Sequence, residues 1–219
     1  MLFACVISDT HGHHEELEIP DCDMIIHSGD FSNHDDPRGS LKPFLDWLGS
    51  FTHKYKILVA GNHDHMVQSM GYKKFFELCK KYGIIYLQDT SVEIEGILFH
   101  GSPWTSRYKT WAFMNADPLL SDQWLLIPTQ TEVLITHGPA YGTLDLASES
   151  RRAGSPSLKK RIDQLNHLRF HLFGHIHPDY GIKYLNERYI SLNAAMMDKN
   201  GELSRDIPII EIRKHFNKQ

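Results

Sequence analysis

Leu2-Phe3-Ala4-Cys5-Val6-Ile7-Ser8-Asp9-Thr10-His11 is the stretch that decides the fold. Its first six residues form an unbroken apolar run, which reads as a strand buried on both faces, as strands of parallel sheets are. Polar residues follow at once. Asp9 and His11 therefore stand at the strand's carboxyl end, where open α/β sheets build their sites. Two residues apart, a carboxylate and an imidazole can converge on one cation.

The arrangement recurs along the chain. Residues 24–26 lead to Gly29-Asp30, and 56–60 to Gly61-Asn62-His63-Asp64. Residues 132–135 lead to Thr136-His137-Gly138, and 171–173 to Gly174-His175-Ile176-His177. Asp, Asn and His offer hard oxygen and borderline nitrogen donors, a set suited to Mn, Fe or Zn rather than Ca. Phosphoryl chemistry at a dinuclear centre needs cations ~3.5–4 Å apart and a group that bridges them. Asp30 is the best candidate, because a carboxylate offsets the repulsion between cations. Asp9, His11 and His177 are expected on one metal, and Asn62, His137 and His175 on the other, with positions left open for water and substrate. His63 should face the open side, where it could protonate a leaving oxygen or stabilise charge on phosphorus. Asp64 is expected to orient that imidazole.

Around these segments the pattern predicts strands at Leu2–Ile7, Met24–His27 and residues 56–60, with a helix from Leu41 carrying Leu41, Phe44, Leu45 and Leu48. Pro37 and Pro43 belong before it or in its first turn. A second helix is expected over residues 66–82, buried through Phe75, Phe76, Leu78, Cys79 and Tyr82. Short strands follow at 84–87, 91–94 and 97–100, the last two joined at Glu95-Gly96 as a hairpin. Residues 101–115 read as a long aromatic loop and 138–157 as irregular. A third helix carries Leu158, Ile162, Leu165 and Leu168 from a cap near Ser157. Strands at 133–136, 171–173, 189–192 and 207–212 complete the pattern. Strand–helix alternation followed by hairpins implies a mixed sheet pair flanked by helices. No repeat or linker divides the chain, so residues 1–219 are expected to form one domain.

At 219 residues and 41% hydrophobic content the chain can bury one substantial core. A net charge of −4 gives no general attraction to nucleic acid or to anionic membranes. Cys5, Cys22 and Cys79 show no metal spacing and suit a reducing compartment. The first strand begins at Leu2, leaving no room for a leader, and no apolar run approaches the ~20 residues of a membrane span. A soluble cytoplasmic protein is the expectation.

The five segments resemble, motif by motif, the calcineurin-like metallophosphoesterase superfamily. A finer resemblance to its small MPPED-type branch is carried by Asp46-Trp47-Leu48-Gly49, Gly101-Ser102-Pro103-Trp104-Thr105, Thr136-His137-Gly138-Pro139 and Phe173-Gly174-His175-Ile176-His177. The resemblance implies a four-layer α/β/β/α sandwich of two mixed sheets flanked by helices, and hydrolysis of phosphodiesters, cyclic nucleotides among them. It carries metal roles onto Asp9, His11, Asp30, Asn62, His137, His175 and His177, and the catalytic histidine onto His63. Two positions depart from the branch: Asp64 stands where glutamate is commonest, and Ala140 where a second proline is frequent.

The expected function is therefore a phosphodiesterase for a small phosphodiester or nucleotide. Two divalent cations serve it, manganese first and Fe, Zn or Ni otherwise, and water between them attacks phosphorus in line. A broad phosphatase, a nuclease and a non-catalytic nucleotide-binding scaffold are the alternatives. No stable nucleic-acid or membrane partner is expected, since no extended basic track adjoins the motifs.

Other residues carry two readings. Trp104 and Trp111 could stack a nucleobase, Trp104 the better placed, or fill the core beneath their loop. Arg151, Arg152, Lys159, Lys160 and Arg161 could recruit a phosphate, though a solvated face is the ordinary reading. His27 and His100 lie where they could support ligands. Trp47 reads as packing, and His13, His14, His34, His53, His65, His167 and His215 as having no specific role.

Overall fold

A computed structural model of the chain describes residues 1–33, 39–185 and 187–213. His34, Pro37 and His215 fall outside them. In chain order the elements are β1 (Leu2–Ile7), β2 (Met24–His27), α1 (Leu41–Ser50), β3 (Tyr55–Leu58), α2 (His65–Met70), α3 (Tyr72–Lys81), β4 (Ile85–Tyr86), β5 (Thr90–Ile94) and β6 (Ile97–Ser102). They continue as β7 (Thr105–Ser106), β8 (Met114–Asn115), α4 (Asp117–Trp124), β9 (Val133–Thr136), β10 (Leu146–Ser148), β11 (Arg151–Arg152) and α5 (Pro156–Ile162). The last are β12 (Phe170–Phe173), β13 (Gly181–Leu185), β14 (Tyr189–Asn193) and β15 (Ile209–Ile212).

Two mixed sheets carry the fold. One runs β15-β1-β2-β3-β4, parallel except for β15. The other runs β13-β14-β12-β9-β6-β5, parallel at its centre with antiparallel strands at both edges. Strand periodicity sorts the apolar residues. Leu2, Ala4 and Val6 of β1 face Phe99, Val133, Ile135 and Leu172 of the other sheet in the central core. Cys5 and Ile7, on the opposite face, meet Phe44, Leu45, Leu48, Phe75 and Cys79 of the helices. On the far side Leu134 packs with Leu120, Trp124, Leu158 and Ile162 of α4 and α5. The result is the α/β/β/α sandwich.

Three expectations need correction. The helix expected over 66–82 is two, because Gly71 at φ 79°, ψ 152° leaves helical space between them. The cap of α5 is Ser155, whose side chain accepts the Leu158 N–H, and the helix ends at Ile162, before Leu165 and Leu168. The stretch read as an aromatic loop contains the β7–β8 ladder, and the one read as irregular contains the β10–β11 hairpin. In α3 only Phe75 and Cys79 are fully buried, while Phe76 and Leu78 pack at the edge. Among the described residues no helix is long and apolar enough to cross a membrane.

Because β1, β2 and β3 are parallel, as are β6, β9, β12 and β14, each sheet gathers its strand ends along one edge. A bridge between Ser8 and Ala195 joins the two sheets there.

Candidate metal centre

The turns leaving β1 and β2 run side by side. Asp9 N–H donates to the Gly29 carbonyl, and His11 N–H to the Asp30 carbonyl. Asp9, His11, Asp30 and His175 all adopt positive φ, between 43° and 69°, a region non-glycine residues avoid unless their surroundings hold them there. Glycines make room for the carboxylates. A Cβ on Gly61 would stand 2.3 Å from Asp30 Oδ1, and one on Gly174 would stand 2.0 Å from Asp9 Oδ2.

Two groups of donors result. Asp9, His11 and His177 form one, and Asp30, His137 and His175 the other, with ligand atoms of each group within 4.8 Å of one another. In the first, His11 Nε2 lies 3.4 Å from His177 Nε2, and His177 Nε2 lies 3.3 Å from Asp9 Oδ1. In the second, His137 Nε2 lies 3.3 Å from Asp30 Oδ2 and 2.9 Å from Asn62 Oδ1. Donors held at about 2.0–2.2 Å from a shared cation stand roughly 3–3.5 Å apart, so these spacings fit one ion per group.

The protonation pattern fits as well. His137 Nδ1 must donate to the Ser28 carbonyl, 3.0 Å away, which leaves a lone pair on Nε2 facing two oxygen acceptors. Lone pairs so opposed call for a proton or a cation between them. Burial alone would lower this imidazole, but the Asp30 carboxylate raises it to about 9. Burial also resists ionisation of Asp9 and Asp30. The imidazole of His177 nevertheless holds Asp9 below the carboxylate range, and those of His137 and His63 do so for Asp30. Burial pushes His175 down to about 3, the neutral form a ligand needs.

Asp30 Oδ2 stands 3.3 Å from His137 Nε2 and 4.0 Å from His11 Nε2, between the groups, while Oδ1 accepts the His63 N–H at 2.7 Å. The His63 ring sits at the edge of a cavity of about 880 Å³, with Nε2 3.9 Å from Asp30 Oδ2. Asp64 behaves otherwise than expected. Its carboxylate accepts the backbone N–H groups of Asp30, Ser32 and Gly61 at 2.7–3.0 Å. It thus locks the Asp30 turn to the Asn62 turn instead of partnering the His63 ring. Burial and the Asp30 charge push its carboxyl up to about 7, against the pull of those amides.

Some supporting residues were weighed in the sequence and some were not. His27 Nδ1 accepts from Gly29 N–H, so its Nε2–H donates to Thr10 Oγ1, bracing both metal-facing turns. His171, read only as part of a strand, donates to Thr136 Oγ1 directly beneath His137. Its signal was a histidine inside an otherwise apolar strand. His100 instead pairs with Ser91 at the distant hairpin, and His14 is packed between Phe44 and Trp47.

The sequence profile of the calcineurin-like phosphoesterases matches residues 4–179. The chain belongs to that family. Among its calcineurin-like relatives, metallophosphoesterase domain-containing protein 1 of Homo sapiens is 35% identical over 202 residues, covering 82% of this chain and 61% of the relative. The chain thus spans about three-fifths of the human relative's length. A UPF0046 protein of Caenorhabditis elegans is 33% identical over 210 residues, covering 90% of this chain and 70% of that protein. The crystal structure of TT1561 of Thermus thermophilus superposes with a TM-score of 0.64 at 16% identity, covering 89% of each chain, a likeness of fold.

Of the two tryptophans, the structure reverses the sequence preference. Trp104 donates its indole N–H to Asp89 at 2.9 Å and packs against Phe113 in the core, so it is not the residue at the cavity. Trp111 lines the cavity, its ring centroid 4.4 Å from that of His63.

Proposed function

We propose that the chain is a dinuclear-metal-dependent phosphodiesterase of small phosphodiesters, acting as one domain over residues 1–219, with cyclic nucleotides the first class to test. One observation carries this reading: a single buried oxygen, Asp30 Oδ2, faces both donor groups at once. When bound, the two cations would supply an acidified water and neutralise charge at the phosphoryl oxygens. Asp9, His11 and His177 would hold one, and Asn62, His137 and His175 the other, with Asp30 shared. Manganese is the first candidate, with Fe, Zn and Ni as alternatives the donor set also admits.

The chain's own part is positioning and proton handling. His27, His171 and Asp64 fix the turns, so the donors are in place before substrate arrives. His63, at the cavity edge with its backbone N–H clamping Asp30 Oδ1, would hold on its ring the proton that the leaving oxygen takes up. The free thiols Cys5, Cys22 and Cys79 support the expected cytoplasmic setting.

Hydrolysis of bis-p-nitrophenyl phosphate by metal-stripped protein, before and after Mn²⁺ addition, tests the proposal. Turnover should return with metal and vanish in Asp30→Asn. On a natural ester such as a cyclic nucleotide, His63→Ala should fall by about 10²–10⁴-fold, the usual worth of a general acid, and on the p-nitrophenyl ester by less, since that leaving group needs little protonation. Unchanged turnover of both the activated and the natural ester in His63→Ala would remove the leaving-group role. Cations bound with no hydrolysis under Mn, Fe, Ni or Zn would make the chain a binding scaffold.

A further inference from the structure

The donor groups fill only one end of the 880 Å³ cavity, whose volume suits a molecule of nucleotide size. The other end is built from two segments distant in sequence. Trp111 stands against His63, and Tyr108 meets Trp111 edge-on with centroids 6.4 Å apart. Arg151, from the β10–β11 hairpin, crosses to this loop and lies over Tyr108, its guanidinium carbon 4.8 Å from the ring centroid. Arg107 and Lys199 also line the cavity, Lys199 beside Asp198, whose backbone meets His177 of the donors.

Among the described residues, positive charge at this end lacks carboxylate partners. Among the described residues the lining includes two carboxylates, of which Asp30 belongs to the donors and Asp117 binds the hydroxyls of Ser155 and Ser157. Arg152 is neutralised by the buried Asp145. Among the described residues, Arg107, Arg151 and Lys199 have no carboxylate within ion-pair distance. Lys159 and Arg161, by contrast, are occupied on α5 by Asp163 and Gln164, as a solvated helical face requires. A chain of net charge −4 thus concentrates positive potential inside one cleft, the arrangement that draws in anions. A guanidinium stacked on an aromatic face keeps its edge N–H donors free for bidentate contact with phosphate.

We propose that the far end of the cavity is a second anion subsite. It would take a phosphate that the substrate carries in addition to the one being cleaved, bound by Arg151, while Trp111 and Tyr108 flank the base on the sugar that links the two phosphates. The placement of the first phosphate rests on the phosphodiesterase reading; the second subsite stands on Arg151, Tyr108 and Trp111 alone.

Two probes differing only in that group decide it: thymidine 5′-(p-nitrophenyl phosphate) and its 3′-phosphorylated counterpart, which share one leaving group. The 3′-phosphorylated ester should be favoured in kcat/KM by about tenfold or more, through KM, as charge-assisted hydrogen bonds imply. Arg151→Ala should erase the preference and leave bis-p-nitrophenyl phosphate turnover unchanged. Equal kcat/KM for the two esters, or an Arg151→Ala loss shared equally by all three substrates, would overturn the subsite. Equilibrium binding to metal-stripped protein supplies a second readout. Thymidine 3′,5′-bisphosphate should bind about tenfold tighter than thymidine 5′-monophosphate, and Arg151→Ala should remove the difference. Equal binding overturns the subsite. A retained binding preference without hydrolysis of either ester upholds it and removes the phosphodiesterase reading instead.

Discussion

The two ends of the cavity are built by opposite means. At the donor end the side chains issue from turns after β1, β2, β3, β9 and β12, and Asp9, Asp30, Asn62 and His137 are almost wholly buried. The Gly29 carbonyl holds Asp9, Asp64 holds the Asp30 amide, the Ser28 carbonyl holds the His137 ring, and the backbone carbonyl of Asn62 accepts the Ala112 N–H. At the far end Arg107, Tyr108 and Arg151 are exposed; the Arg151 guanidinium lies over the Tyr108 ring, and the Arg107 side chain donates to Asn115. Chemistry that depends on fractions of an ångström needs an over-determined frame, whereas recognition of a charged, stackable group tolerates mobile side chains. The contrast teaches where the chain cannot change and where it can.

The contrast can be broken at either end. The largest effect is expected for Asp64→Ala, which strips the acceptor from three buried amides and should destabilise the fold by about 4 kcal/mol, at roughly 1–3 kcal/mol per orphaned group. Urea unfolding measures this, and a loss under about 1 kcal/mol would mean that the turns hold themselves. Gly174→Ala comes next. Its Cβ would stand 2.0 Å from Asp9 Oδ2 and 2.1 Å from Ser8 Oγ, and such overpacking costs about 1–3 kcal/mol. Manganese content after dialysis should fall below that of the parent chain, and full retention would show that the donor end is looser than drawn. Smallest is Tyr108→Ala, expected to shift stability by no more than about 0.5 kcal/mol. A drop above about 2 kcal/mol in the same unfolding assay would make the far end part of the frame and end the comparison.

Legibility in the sequence follows the same division. The donor end was readable because its residues follow apolar runs, and burial with strand periodicity leaves few conformations for a turn that must emerge at a sheet edge. The strands β1 and β2 agree with that reading to the residue. Helix α4 escaped it, since Asp117–Trp124 buries only Leu120 and Trp124 and presents no continuous stripe. Its one signal was a proline directly after Asp117, in the first helical turn. Asp64 was placed on the wrong partner because adjacency to His63 suggested contact with its ring, whereas the amides that donate to it lie 3, 32 and 34 residues away in sequence. Trp104 and Trp111 looked alike as aromatics of one loop. Only the position of Asp89, 15 residues upstream of Trp104, separates core from cavity.

Each donor group draws on both sheets. Asp9 and His11 come from the first and His177 from the second, 168 residues from Asp9, while Asp30 comes from the first and His137 and His175 from the second. A cation seated in either group would span the interface like a cross-link closing a very long loop. Its binding free energy would then be linked to docking of the two halves of the sandwich. The centre is in that sense a clasp, assembled only when the most distant parts of the chain have met.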